Sequence, residues 1–300
     1  MNRKIVYLIN PISGTRGKSL ILEVIKKETE QQGIPFEILD TNAAGNYDWL
    51  KEKIISENIT DIIICGGDGT VSQVTGALLG IAVQIGIIPL GSGNGLAFAA
   101  KIPKRIDRAL HIIFTGKATW VDGFHINDQF SCMLCGLGFD AQVAHDFANQ
   151  KKRGLATYIK QTIKNFTLAK PYPFILQVDS KTFSTDAFFI SIANSNQFGN
   201  NFTIAPMASL HDGLLDIVVV NNMSKLRLLW NILKQINSGQ VRIYEDKKYH
   251  RNQIHYFQTA QLSIQNPKHA PLHIDGDPVD TAEAFDIKVI RNAFKLLMPE

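Results

Sequence analysis

Asp61-Ile62-Ile63-Ile64-Cys65-Gly66-Gly67-Asp68-Gly69-Thr70 is the stretch from which the rest of the chain can be read. A run of apolar residues that breaks into glycines has the pattern of a strand buried on both faces, and the helix-compatible run Val71 to Leu79 follows it. The unit is therefore strand, loop and helix. Glycines at 66, 67 and 69 permit backbone angles closed to other residues and bring bare N–H groups up to a ligand, while a helix starting near Thr70 aims its positive end at the same point. A phosphate suits such a loop. Asp68 would repel a naked phosphate, so it implies a divalent cation, a cationic group or a hydroxyl at the same place. A tight turn that uses its glycines only for geometry is the plainer alternative.

Upstream, Lys4 to Ile9 reads as a buried strand, Asn10-Pro11-Ile12-Ser13-Gly14 as a polar turn, and Lys18 to Gln32 as a helix ended by Gly33. Phe36 to Leu39 and Tyr47 to Glu57 give the next strand and helix. Downstream, Gln84 to Pro89 is a fourth strand running into Leu90-Gly91-Ser92-Gly93-Asn94-Gly95 and a short helix. Alternation of this kind predicts a doubly wound parallel sheet with ligands beyond the carboxyl ends of its strands, where the glycine loops fall. The second loop has the look of a dinucleotide fingerprint. That motif belongs after the first strand of its unit, with an acidic residue about twenty positions on, so hydride transfer is rejected. Two glycine loops on adjacent strands instead form two walls of one nucleotide site.

After Lys117 the rhythm changes to many short strands: Thr119 to Ile126, Gln129 to Leu137, Phe174 to Val178, Ala187 to Ala193, Leu214 to Val220, Gln261 to Ile264, Leu272 to Ile274 and Phe285 to Ile290. Helices are expected at Ala141 to Asn149, Leu155 to Leu168 and Leu226 to Ile236, and a hairpin turn at Asn127-Asp128. The predicted fold is an α/β nucleotide domain over 1–117 and a β-rich, sandwich-like domain over 118–300, whose last residues are free to pack back on the first. A length of 300 residues agrees with two domains.

A net charge of +4 is too weak to argue for nucleic acid and agrees with an anionic substrate or a membrane surface. Cysteines at 65, 132 and 135 make an odd number, which points to a reducing compartment and a cytoplasmic chain. Cys132 and Cys135 lack the second ligand pair of a zinc site, so a buried structural role is expected. No apolar run is long enough to span a bilayer. Lys151-Lys152-Arg153 is either a solvated loop or a contact for anionic lipid. Two acidic turns remain open between geometry and chemistry. Asp212-Gly213 could stabilise its turn or bind a hard cation, and Asp275-Gly276 could be a plain β-turn or present a carboxylate that accepts a hydroxyl proton.

Asn10-Pro11-x-Ser13-Gly14, Gly66-Gly67-Asp68-Gly69-Thr70, Pro89-Leu90-Gly91-Ser92-Gly93-Asn94, Asp212-Gly213-Leu214-Leu215-Asp216 and Asp275-Gly276 together resemble the diacylglycerol kinase catalytic family, which includes bacterial lipid kinases and the sphingosine and ceramide kinases. The motifs keep the family's order over nearly the whole chain. NAD kinases share the first glycine motif, but the Asn-Pro-x-Ser-Gly start and the late Asp-Gly favour the lipid kinases. The resemblance implies an ATP-dependent lipid kinase using Mg2+, with ATP and a lipid at a membrane surface meeting between two domains. It implies that Gly66, Gly67, Asp68, Gly69, Thr70, Val71 and Ser72 hold the phosphates, with Asn10, Thr41, Ser92 and Asn94 beside the nucleotide. Asp212 would be a structural magnesium ligand, helped by carbonyls of Ser209 and Leu214, and Asp275 and Asp68 would be catalytic.

The chain departs from the family at Gln73 and Asp277, where glutamate is frequent, and at Gly95, where many glycerolipid kinases have aspartate. Asn42-Ala43-Ala44-Gly45 also lacks the usual histidine-containing pattern. The rivals are an NAD kinase and a catalytically inactive regulator that binds lipid or nucleotide. Membrane association is expected to be peripheral and reversible, with no nucleic acid and no stable protein partner inferred, and with a homodimer left open.

Overall fold

The computed structural model describes residues 3–10, 18–42, 45–148, 169–199, 202–203, 205–221 and 254–300. Pro11, Ser13, Gly14, Ala43, Ala44, the cluster at 151–153 and the helices expected over 155–168 and 226–236 lie outside them. The chain divides into two compact units, Met1–Asp122 with Arg291–Glu300, and Gly123–Ile290.

In the first unit, β1 (Ile5–Ile9), α1 (Lys18–Gln31), β2 (Phe36–Asp40), α2 (Asp48–Glu57), β3 (Asp61–Gly66), α3 (Asp68–Ala77), β4 (Gln84–Pro89) and α4 (Gly95–Ala99) alternate as the sequence predicts, and α5 (Ile106–Thr115) follows α4 directly. The sheet is parallel, with β2 beside β1, β1 beside β3 and β3 beside β4. β1 and β3 are buried along their whole length, which accounts for their unbroken apolar runs. The chain leaves β1 toward β2 on one side, then returns past β1 to β3 and on to β4. Right-handed crossovers therefore place α1 on one face and α2 and α3 on the other. Beyond the carboxyl ends of β1 and β3 the helices diverge, and that crevice is where such sheets bind ligands.

At the opposite end of β3, Asp61 is fully buried against Arg3, at 2.7 Å. The same guanidinium donates to the carbonyls of Ile113 and Phe114 in the last turn of α5. One side chain thus ties the start of β3 to a helix end whose carbonyls need donors.

The β-rich unit contains the last residues of β5 (Lys117–Ile126), then β6 (Gln129–Ser131), β7 (Leu134–Gly138), α6 (Phe139–Ala148), β8 (Tyr172–Val178), β9 (Lys181–Ala193), β10 (Gln197–Gly199), β11 (Phe202–Thr203), β12 (Leu215–Asn221), β13 (Ile254–Thr259), β14 (Gln261–Gln265), β15 (Leu272–Ile274) and β16 (Asp277–Val279). The first half of β17 (Ala284–Met298) completes it. The early part of β9 pairs with β8, and its later part with β7 and β12. A single long strand thereby pairs with β8 at its start and lies between β7 and β12 at its end, and Phe124, Leu137, Phe174, Ile190, Ile217, Ile264 and Ile287 fill the core. The division between units falls inside β5, after Asp122. The end of β17 returns to pair with β4.

Two expectations need correction. Gln129 to Leu137 is not one strand: it breaks at Cys132-Met133, where Ser131 and Leu134 turn to a partner outside the ladder. α3 begins at Asp68, not near Thr70, which puts the aspartate in the first helical turn, where its charge complements the helix dipole.

Candidate functional site

Backbone hydrogen bonds align the carboxyl ends of the parallel strands in the first unit. Thr41 N–H donates to Ile9 O at 2.9 Å, Asn10 N–H to Cys65 O at 3.0 Å, and Leu90 N–H to Gly66 O at 2.9 Å. The side chain of Asn10 donates to Thr70 Oγ1 at 2.9 Å. Asn10, Thr41, Gly66 to Thr70 and the loop through Ser92 and Asn94 therefore lie at the same end of the parallel strands.

The glycines serve there in a way the sequence did not indicate. Gly66, Gly67 and Gly69 are absent from the positive-φ residues, and Gly67 is extended. Close approach between the two loops is what limits side chains here, most severely at Gly91. A Cβ on Gly67 would lie 3.2 Å from Gly91 Cα, and one on Gly91 would lie 2.5 Å from Gly67 Cα. The two loops touch backbone to backbone.

Asp68 links the same two loops. Its Oδ2 accepts the N–H of Gly95 at 3.0 Å and its Oδ1 that of Leu96 at 3.4 Å, so the carboxylate caps the short α4. The carboxylate of Asp68 thus holds the second loop against the first. Asn94 is the left-handed residue of the second loop, with φ 56°. Its side chain accepts Gly91 N–H at 2.8 Å and donates to Gly91 O at 2.6 Å, closing the loop on itself. Ser92 is exposed at the tip. Val71 is a core residue whose N–H makes the first bond of the helix, to Gly67 O. Thr70 and Ser72 are buried polar residues on the same helix. Thr41 is hydrogen-bonded through its side chain to the Tyr47 hydroxyl. Gln73 lies against Gly45, bringing the loop after β2 onto α3.

In the β-rich unit, β15 and β16 form a hairpin with Ile274 opposite Asp277, so Asp275-Gly276 is its two-residue loop. Both residues have positive φ, 52° and 85°, the geometry that favours Asp-Gly in a type I′ turn. The turn reading is thus right, yet the turn does not account for the carboxylate. Asp275 is 8% exposed, and its Oδ1 accepts Ser131 Oγ at 2.7 Å and Leu134 N–H at 3.1 Å. This is the partner for which β6 and β7 separate. Cys132 and Cys135 are buried free thiols. Burial first, and the charges of Asp275 and Asp140 second, hold the Cys135 thiol well above its ordinary pKa.

Among the described residues no group of three or more His, Cys, Asp or Glu gathers as a metal centre. Asp212 is exposed, with Oδ1 accepting Leu214 N–H at 3.0 Å, and Ser209 is half-buried in the same turn. Asp216 nearby accepts from Tyr256 and Gln258. Its pKa is raised, by burial first and by the charge of Asp212 among the lesser causes. An exposed aspartate whose charge is felt by a buried neighbour is a single oxygen ligand of the kind a hard cation takes.

Sequence reading missed Ser131, Asp140 and His273. The first two carried no motif, and a lone histidine in an apolar strand reads as core.

Residues 4–126 match the diacylglycerol kinase catalytic domain, and residues 134–298 the YegS C-terminal NAD kinase beta sandwich-like domain. "Probable lipid kinase YegS-like" of Citrobacter koseri is 26% identical over 89% of this chain and 88% of its own length. The protein of the same name from Shewanella frigidimarina is 27% identical over 82% of this chain and 78% of its own. A solved structure of a diacylglycerol kinase from Bacillus anthracis str. Sterne aligns over 99% of this chain and 97% of its own with a TM-score of 0.75, at 20% identity, a likeness of fold. With one domain type in its first half and the other in its second, the chain belongs to the YegS-like, diacylglycerol kinase family of lipid kinases.

Proposed function

We propose that the chain is an ATP-dependent kinase that transfers the γ-phosphate of ATP to a hydroxyl group of a lipid, with diacylglycerol or a sphingoid lipid as the leading acceptors. The observation that carries this reading is the joining of two glycine loops at the carboxyl ends of β3 and β4, with Asp68 bridging them. Phosphoryl transfer asks little covalent chemistry of a protein and much positioning and charge stabilisation. Amides at the start of α3 and along both loops are suited to phosphate oxygens, since the first N–H groups of a helix lack partners within it. Asp68 keeps the loops in register. Asp275 accepts the proton of the attacking hydroxyl, oriented for this by Ser131 and the Leu134 amide.

Asp212, with carbonyls of Ser209 and Leu214, would hold a magnesium ion, which supplies charge neutralisation to an acidic turn. Among the described residues no helix is long and apolar enough to cross a membrane. Encounter with the lipid is accordingly proposed to be peripheral and reversible on the cytoplasmic face, with the basic cluster at 151–153 as its first candidate contact.

The test is to incubate the chain with magnesium and γ-labelled ATP, once with a total lipid extract and once with NAD. Label in a chloroform-soluble product supports the proposal. The NAD arm is warranted because the matched C-terminal domain type carries NAD kinase in its description. Label in NADP alone overturns the lipid assignment, and ATP or lipid binding without any transfer points to a regulator.

A further inference from the structure

Beneath the Asp275-Gly276 turn lies a buried pair of titratable side chains to which the mechanism above assigns no part. In a two-residue hairpin the flanking residues make the ladder bonds, and the amides of the two central residues have no partner within it. Here both are engaged. Asp275 N–H donates to Leu134 O at 2.8 Å, and Gly276 N–H donates to His273 Nδ1 at 3.3 Å. A ring nitrogen that accepts an amide proton carries none of its own, which assigns the ring proton to Nε2. That nitrogen faces Asp140 Oδ2 at 3.4 Å.

Asp140 is in turn fixed at the start of α6. Its Oδ1 accepts Ala141 N–H at 2.8 Å. Farther along α6, His145 Nε2 lies 3.0 Å from Leu272 O, which attaches the helix to β15 a second time. Gly136 is the strand neighbour of His273. A Cβ there would collide with Asp140 Oδ2 and come within 2.5 Å of His273 Nε2, so the absence of a side chain makes the room for the pair. His273 is fully buried and Asp140 is 7% exposed. Apolar side chains could fill this volume without the desolvation cost of a polar pair, so stability alone does not call for it.

We infer that His273 and Asp140 are positioning residues for the acceptor carboxylate: they act through the Gly276 amide to set the turn from which Asp275 reaches Ser131 and Leu134. The inference rests on the reading of Asp275 as the proton acceptor. Asp140 holds the histidine tautomer, the histidine holds the amide, and the amide holds the turn.

The experiment combines kinetics with a spectroscopic readout that needs no activity. His273→Leu removes the acceptor, whereas His273→Asn retains a carbonyl oxygen near the place of Nδ1. Misplacing a reacting group by a fraction of an ångström to an ångström costs up to about 100-fold. His273→Leu is therefore expected to lower kcat by about 10- to 100-fold with the KM for ATP within about twofold, and His273→Asn to recover most of that loss. Placed on Asp275→Asn, His273→Leu should cost less than about twofold more, since the group it positions is already disabled.

A folded His273→Leu variant with near-normal kcat overturns the inference, as does full multiplication of the two losses. Should His273→Leu fail to fold, Asp140→Asn takes its place under the same criteria. In the wild-type chain, 15N chemical shifts should report a pyrrole-like Nε2 and a pyridine-like Nδ1 for His273. The opposite tautomer overturns the arrangement whatever the chain phosphorylates. A chain with the stated tautomer that transfers phosphate to no acceptor overturns the kinase reading itself and, with it, the positioning role.

Discussion

Gly91→Ala adds one methyl group at the point where the two glycine loops touch. The new Cβ would lie 2.5 Å from Gly67 Cα, against about 3.4 Å for ordinary contact, so the backbones must part by about 0.9 Å. Sideways relief is closed too, because Asn94 Oδ1 would sit 2.9 Å from the methyl and is itself bonded to the Gly91 amide. Stretched by that amount, the 3.0 Å bond from Gly95 N–H to Asp68 passes the range of a hydrogen bond, and the 3.4 Å bond from Leu96 N–H is lost. Overpacking of this kind costs about 1–3 kcal/mol, and the displaced second loop should weaken ATP binding by about 10- to 100-fold.

Gly67→Ala probes the same contact from the other side, where the Cβ would lie 3.2 Å from Gly91 Cα and needs only a small adjustment. Its backbone is extended, and the loss of unfolded-state freedom returns about 0.4–1 kcal/mol, so it should stay within about 1 kcal/mol of wild type. Urea unfolding and ATP titration of both variants supply the comparison. If Gly91→Ala is no worse than Gly67→Ala in either measurement, the loops are not held together by this contact.

Asp275→Asn keeps the size of the side chain but removes its capacity to take a proton, so kcat should fall about 100- to 10,000-fold with ATP affinity nearly unchanged; a folded variant with near-normal rate would remove Asp275 from the mechanism. Asp212→Ala should abolish a magnesium-dependent rise in Tm, because an ion bound only by the folded state stabilises it by mass action, and a Tm indifferent to both magnesium and the substitution would count against the site. Glu57 is held down to about 2 by hydrogen bonds from Lys4 and Lys53. A carboxylate lowered in the folded state contributes stability above its unfolded pKa, near 4.5, and loses it as pH falls toward 2. The difference between wild type and Glu57→Gln should therefore shrink on acidification across that window, and also with added salt, because the group is exposed; a constant difference from pH 7 to 2 would refute this.

Much of the molecule is legible in its sequence. Runs such as Ile62 to Cys65 can be buried on both faces only in a covered parallel sheet, and their alternation with helical segments left few topologies open. The glycine loops fall at strand ends by the same logic, and Asp275-Gly276 is a turn because those two residues tolerate positive φ. These are local properties, set by side-chain period and backbone sterics within a few residues.

What local pattern does not contain is which loop touches which. Whether Gly67 needs its φ or its missing Cβ depends on Gly91, more than twenty residues away. Nothing around Asp68 in the chain indicates that its carboxylate meets the amides of Gly95 and Leu96. Likewise the strand through Cys132 breaks for a carboxylate 144 residues from Ser131, and His273 looks like an ordinary core residue until Asp140 comes to its ring. Hydrogen bonds and close packing are short-ranged in space but indifferent to separation along the chain, so the partners of these side chains were decided only when the tertiary structure brought them within reach.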